Sequence, residues 1–280
     1  MISPLAKFMP VSKAPPDMRA HAFEKVSRAI GFVAIALPLV CLIAGVIRFI
    51  PPNDLQHSIS HFYYIPFLGE FFVGCLIFNG ILLLFMFHTN GVPVPGWQNL
   101  SSRESLMMRF AGVSSIMIAL FPTGGPSDSY KKSELIRVFT QFTKDPLQAG
   151  EPIAKSTPEF DFQSLHWLLD LYWHQVFAGV MFAILAYFTY CVFTRVHMDS
   201  SRLEGDEITP QKLKRNRYYR FFGIVIAFCI VGLVIGVFGL VIPLDTWDHY
   251  NATFALEAFA LLAFGFAWLI KGRYFTSLND

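Results

Sequence analysis

Residues 166–193 read HWLLDLYWHQVFAGVMFAILAYFTYCVF, a stretch with no Lys or Arg and a single acid, Asp170. It exceeds the roughly 20 residues that a helix needs to cross a bilayer. Within it, His166, Asp170 and His174 recur at steps of four, slightly more than one helical turn, so the three side chains lie along one stripe. An ionisable residue at membrane depth is costly, and it usually faces a protein-lined or watery interior where it has a task. The stretch therefore predicts both a spanning helix and a site.

Five further apolar segments surround it, at 27–49, 67–88, 107–123, 219–243 and 253–270, of which 107–123 is the shortest. The whole chain of 280 residues is 54% hydrophobic, with mean hydropathy +0.47 and 15% charged residues. Soluble domains carry roughly 25% charged residues, so this is a membrane composition. The net charge of +2 gives no argument for a nucleic-acid partner. The reading is an all-α polytopic bundle of six transmembrane helices.

The basic residues set the expected orientation. Sixteen fall on the side holding the N-terminal segment 1–26, the loop after 67–88, the loop 194–218 and the tail 274–280, against six on the other side. Both termini are thus expected in the cytoplasm, with the membrane domain covering 27–273 in an inner membrane. The first apolar segment reads as a retained helix rather than a cleaved leader. The loop 124–165 is the large outer piece, with a short amphipathic helix expected near 131–142, and 194–218 reads as a solvated connector. Cys41, Cys75, Cys191 and Cys229 all lie in apolar segments without CxxC spacing and read as small hydrophobes.

On this topology the polar residues gather at the outer end. Ser58, Ser60, His61, Tyr63 and Tyr64 precede the second segment, with Glu70 just inside it. Thr123 ends the third, and Asp245, Asp248 and His249 sit between the fifth and sixth. Glu257 is about one turn into the last segment, while the inner halves carry almost no polar residues. At about 1.5 Å per residue, His174 lies roughly 12 Å below His166 and Glu257 roughly 6 Å below Thr253, which predicts an outward-opening pocket floored by His174.

Three chemistries can use this set. Zinc takes His nitrogen and carboxylate oxygen and leaves a position for water, which makes His166, Asp170 and His174 candidate metal ligands; the two histidines are too far apart for one ion, so His166 with Asp170 or Asp170 with His174 would ligate, completed by Glu257 or His61. Without metal, Glu257 or Asp170 orients a histidine that acts as general base. Alternatively, the groups form a partial proton or ion path. The leading expectation is a lipid-directed, possible metal-assisted hydrolase with His174, Asp170, Glu257 and His166 catalytic and Ser60, His61, Tyr63, Tyr64 and Thr123 contacting a membrane-lipid substrate. The alternative is a non-catalytic lipid-binding, sensing or transport protein.

The motifs Ser58-Ile-Ser60-His-Phe-Tyr63-Tyr64, Ala119-Leu-Phe-Pro122-Thr123, Leu165-His166-Trp167 and Glu257-Ala-Phe-Ala-Leu-Leu-Ala-Phe-Gly265 resemble those of bacterial six-helix membrane proteins grouped under domain of unknown function 998. That resemblance implies the six-helix layout and no particular reaction. In layout the chain is also similar to DRAM-like proteins and to the alkaline ceramidase and adiponectin receptor superfamily. The latter likeness implies a zinc held by histidines, although this chain has six segments rather than seven and no His-x-x-x-His in the last.

Overall fold

A computed structural model describes residues 16–47, 55–65, 67–86, 100–121, 173–196, 201, 207–237 and 239–280. The described residues are helical, without extended strands. The helices are α1 (Pro16–Ile47), α2 (Leu68–Met86), α3 (Ser102–Leu120), α4 (Trp173–Tyr187), α5 (Pro210–Val237), α6 (Leu244–His249) and α7 (Ala252–Lys271). A 3-10 turn, Ile59–Tyr64, precedes α2, and α4 runs on through a π-helical turn, Phe188–Val192.

Five of these helices are long and apolar enough to cross a membrane: α1, α2, α4 with its π turn, α5 and α7. The chain is thus a multi-pass, membrane-type helical protein. Their outward positions carry large apolar side chains, among them Phe85, Phe228, Val231 and Phe259, exposed in the isolated chain as lipid-facing residues would be. The sixth expected segment, 107–123, corresponds to α3, which begins earlier, at Ser102. Its start is fixed by a capping box: Ser101 Oγ accepts from the Glu104 amide at 3.2 Å, and Glu104 Oε2 accepts from the Ser101 amide at 3.0 Å.

The six long helices close into a ring in the order α1, α2, α3, α4, α5, α7 and back to α1. Small residues permit the tightest crossings. A Cβ on Gly112 would lie 2.6 Å from the carbonyl oxygen of Gly80, and one on Gly31 would lie 2.8 Å from that of Gly265. Backbones therefore touch at α2–α3 and α1–α7, the packing that helices use where lipid removes the hydrophobic drive for association. An apolar cavity of about 20 Å³ remains inside the ring, bordered by Leu37, Cys75, Asn79, Ser115, Met181 and Phe264.

Two expectations are corrected. The fifth helix starts at Pro210, well before the apolar run at 219, so the last nine residues of the loop 194–218 are helix. Within that extension Lys212 and Arg215 are buried, not solvated. The Lys- and Arg-rich end, where a solvated connector was expected, consequently carries a buried charged cluster. Of the cysteines, Cys41, Cys75 and Cys229 are buried, Cys191 is half-buried, and all are free thiols. The amphipathic helix expected near 131–142 lies outside the described residues.

Candidate functional site

The site is organised by the short segment between α1 and α2. Ile59, Phe62, Tyr63 and Ile65 are apolar or aromatic and fully buried, which seats the 3-10 turn in the end of the bundle. Ser58 caps the turn: its hydroxyl oxygen accepts from the Ser60 amide at 3.1 Å, and its carbonyl accepts from the His61 amide at 3.1 Å.

The turn is fastened to α7 by a carboxylate. Ser58 Oγ donates to Glu257 at 2.8 Å (Oε2) and 3.0 Å (Oε1), and the Ile59 amide donates to Oε2 at 2.7 Å. Next to this clamp the Phe254 amide donates to the His57 carbonyl at 2.8 Å. His57 Nδ1 lies 2.8 Å from the Asp248 carbonyl and 3.0 Å from Asn251 Oδ1, tying the same segment to the α6–α7 junction. A half-buried carboxylate in an apolar helix is stabilised by such donors.

The turn is fastened to α4 by a histidine. His174 Nε2 is 2.7 Å from Ser60 Oγ, and its Nδ1 is 2.7 Å from the carbonyl oxygen of Phe121, the residue that ends α3. A carbonyl only accepts, so the proton of the neutral ring sits on Nδ1. Nε2 is then an acceptor, and the Ser60 hydroxyl donates to it. The result is a serine hydroxyl aimed at a histidine lone pair, with the ring's tautomer and orientation held by a backbone carbonyl. Ser60 and His174 are only 7% and 6% exposed, so the pair is enclosed.

Glu257 and His174, which the sequence places on different helices at the same end, are thus joined through Ser58 and Ser60. His174 lies at the level of the end of α3. Tyr63 is buried edge-to-face against Phe72, their ring centroids 6.4 Å apart, so it is a core residue. His61 is half-buried on the turn, and Tyr64 completes that turn. Glu70 is exposed, and Asp245, Asp248 and His249 lie in or beside the exposed helix α6. His166, Asp170 and Thr123 lie outside the described residues. The sequence reading missed Ser58 as a partner of Glu257 and the Phe121 carbonyl as the group that orients His174; a backbone acceptor leaves no trace in residue identity.

Of the expected zinc ligands His166, Asp170 and His174, only His174 lies among the described residues. Among the described residues no three His, Cys, Asp or Glu side chains converge. A metal on His174 would displace either Ser60 or the Phe121 carbonyl, and one on Glu257 would displace the donors from Ser58 and Ile59.

The opposite end holds a second polar assembly. Glu104 accepts from Tyr187 at 3.0 Å and pairs with Arg195 at 2.8 Å. Asp280 lies within 2.5 Å of Arg215 and 2.8 Å of Ser201, accepts a short hydrogen bond from Thr209, and lies 3.4 Å from Arg273. Burial would raise the Asp280 carboxyl, but the hydrogen bonds from Arg215, Thr209 and Ser201 outweigh it and hold the group below the ordinary carboxylate range.

No family model, curated protein or solved structure matches this chain.

Proposed function

We propose that the protein is a lipid-directed membrane hydrolase in which Ser60 is the nucleophile and His174 its general base. The observation that carries this reading is the 2.7 Å contact between Ser60 Oγ and the unprotonated Nε2 of a histidine whose other nitrogen is fixed by a carbonyl. Ser60 Oγ attacks the carbonyl carbon of a lipid ester as its proton passes to His174 Nε2. The ester C–O bond breaks, and His174 returns the proton to the departing alcohol. Water, deprotonated by the same nitrogen, then cleaves the acyl-serine, and His174 returns that proton to Ser60 Oγ as the carboxylic acid leaves. Glu257 is a positioning residue: it holds the turn that aims Ser60. A site at the end of a bundle whose flanks face acyl chains suits a substrate that the bilayer delivers.

The same reading takes α3 as a sixth span, so that both termini share the Lys- and Arg-rich side and the Ser60 site faces the other. Sixteen basic residues against six support cytoplasmic termini in an inner membrane. Asp170 and His166 then belong to the mouth of the site as further catalytic or metal-binding groups, and Thr123 to its substrate contacts.

The enclosure of Ser60 and His174 favours a second reading, a non-catalytic lipid-binding protein in which the pair only locks the turn. A fluorophosphonate probe separates the two. Labelling of the purified protein at Ser60, located by peptide mass spectrometry and lost in Ser60→Ala and His174→Gln, is the expected result. Loss of the base should slow labelling by about 10²–10⁴-fold. A folded wild-type protein that takes no label at Ser60, or a His174→Gln variant that labels at the wild-type rate, overturns the hydrolase.

A further inference from the structure

The end of the bundle that carries Ser60 also carries a run of exposed apolar residues. Between α5 and α6, Leu240, Val241, Ile242 and Leu244 are all exposed, Leu240 at 65% and Val241 at 74%. Tyr250, just after α6, is exposed as well. The run is held at both ends. Gly239, at φ +59°, closes α5 in a left-handed turn: its amide donates to the Gly236 carbonyl at 3.0 Å, and the Leu240 amide donates to the Ile235 carbonyl at 3.0 Å. Beyond the run, the Trp247 ring lies against Gly236, where no Cβ would fit, and its Nε1–H donates to Thr253 Oγ1 at 2.8 Å. The apolar side chains between these two grips are therefore displayed by a fixed backbone.

A single exposed Leu or Val is ordinary, but a contiguous exposed run marks a surface that meets an apolar partner. Its setting identifies that partner as lipid. The run follows directly on α5, a helix long and apolar enough to cross a membrane, whose exposed residues include Phe228, Val231 and Val234. Its depth fits too. From Lys271 to Ala252, α7 has 20 residues and is about 30 Å long, the thickness of the hydrocarbon core. Residues leading into Ala252 thus lie where acyl chains meet headgroups. Polarity changes at the same level, since Asp245, Asp248 and His249 follow the run and are exposed. Nearby in the chain, Phe67 opens α2 with φ +68° and is 69% exposed. A bulky residue in the left-handed region is strained, and so exposed a ring gains little packing within the chain in return. Acyl chains supply that packing.

We propose that residues 239–250 form an interfacial anchor, which seats the Ser60 end of the bundle in the boundary between headgroups and acyl chains. Leu240, Val241, Ile242 and Leu244 enter the acyl region, and Asp245 and Asp248 stay among the headgroups. No Lys or Arg occurs from 221 to 270, so the attachment is apolar insertion and zwitterionic lipid suffices. The anchor is tied to the segment that carries Ser60, because the Asp248 carbonyl and Asn251 Oδ1 hold His57. It stands whether or not Ser60 is a nucleophile.

The test uses the full chain in phosphatidylcholine nanodiscs, with a nitroxide spin label on one introduced cysteine: Val241→Cys, Leu244→Cys or Asp248→Cys. The unsubstituted chain, with its four native cysteines, sets the background. Power saturation compares collisions with oxygen, which concentrates among acyl chains, and with a water-soluble nickel chelate. Labels at 241 and 244 should meet oxygen more than chelate, and the label at 248 the reverse. The oxygen-to-chelate ratio should differ between 241 and 248 on the order of tenfold, as polar solutes are excluded from an apolar phase, and phosphatidylglycerol should leave it unchanged. Two apolar positions keep the result readable if one variant fails to fold. Labels at 241 and 244 that meet the chelate as readily as the label at 248 place the run in water. Labels shielded from both reagents place it under protein, such as a second copy of the chain. Either result overturns the proposal.

Discussion

Replacing Glu257 by alanine removes the one acceptor shared by two donors of the segment that carries Ser60. The Ile59 amide, 2.7 Å from Oε2, is fixed in the first turn of the 3-10 helix and has nowhere to rotate. The Ser58 hydroxyl, 2.8 Å from the same oxygen, can swing, but its oxygen must go on accepting from the Ser60 amide. Stranding a buried donor costs about 1–3 kcal/mol, with hydrogen bonds to charged groups at the upper end. Taking about 2 kcal/mol for the amide and about 1 for the hydroxyl, Glu257→Ala should destabilise the docked turn by about 3 kcal/mol. Glu257→Gln keeps one acceptor oxygen and should lose about 1. Hydrogen exchange in detergent is the direct assay. The amides of Ile59, Ser60 and Phe254 should exchange on the order of a hundredfold faster in Glu257→Ala, as about 3 kcal/mol of lost protection implies, while amides in the middle of α2 and α5 stay protected. If the Ile59 amide remains as protected in Glu257→Ala as in the wild type, Glu257 is not what holds the turn, and the positioning role assigned to it falls.

Three further outcomes follow from contacts elsewhere. Gly112→Val puts side-chain atoms where a Cβ alone would already be 2.6 Å from the Gly80 oxygen and 2.8 Å from the Leu84 nitrogen; the unfolding temperature should drop, with a cost of about 1–3 kcal/mol or more. Gly74→Ala, into open space, should leave it unchanged. Tyr187→Phe removes the hydroxyl that donates to Glu104 at 3.0 Å and should cost about 1 kcal/mol in a denaturant titration. Asp280 has a folded carboxyl held below its ordinary value of 3.8, so its contribution is fully present above that pH and is lost as pH falls through the lower folded value. Proteolytic release of the tail should therefore rise on acidification below pH 3.8 in the wild type, and less steeply over that range in Asp280→Asn.

The membrane-type helical architecture was legible because it rests on composition, and long apolar runs such as 219–243 and 253–270 have no alternative fold in water. Boundaries were less legible. The apolar run begins at residue 219, whereas the helix starts at Pro210, because Lys212 and Arg215 are buried by partners far away in the sequence, including Asp280. Hydropathy counts those residues as loop; only the tertiary cluster makes them interior. The candidate site was half legible. Ionisable residues in apolar helices singled out His174 and Glu257, since such residues are costly wherever they occur. What joins them was not legible, because Ser58 and Ser60 are ordinary polar residues in a loop and the Phe121 carbonyl belongs to every residue type alike. The stripe of His166, Asp170 and His174 remains an expectation of spacing, as only His174 is among the described residues.

The three-residue reach from Ser58 to Ser60 has a mechanical corollary. Because α7 grips one end of it through Glu257 and α4 grips the other through His174, the turn acts as a strut between two helices that are not neighbours in the chain. Any sliding or rotation of α7 along its axis is transmitted to the Ser60 hydroxyl through covalent backbone, with almost no slack. A displacement of α7 relative to α4 thereby becomes alignment or misalignment of a single oxygen with a single nitrogen.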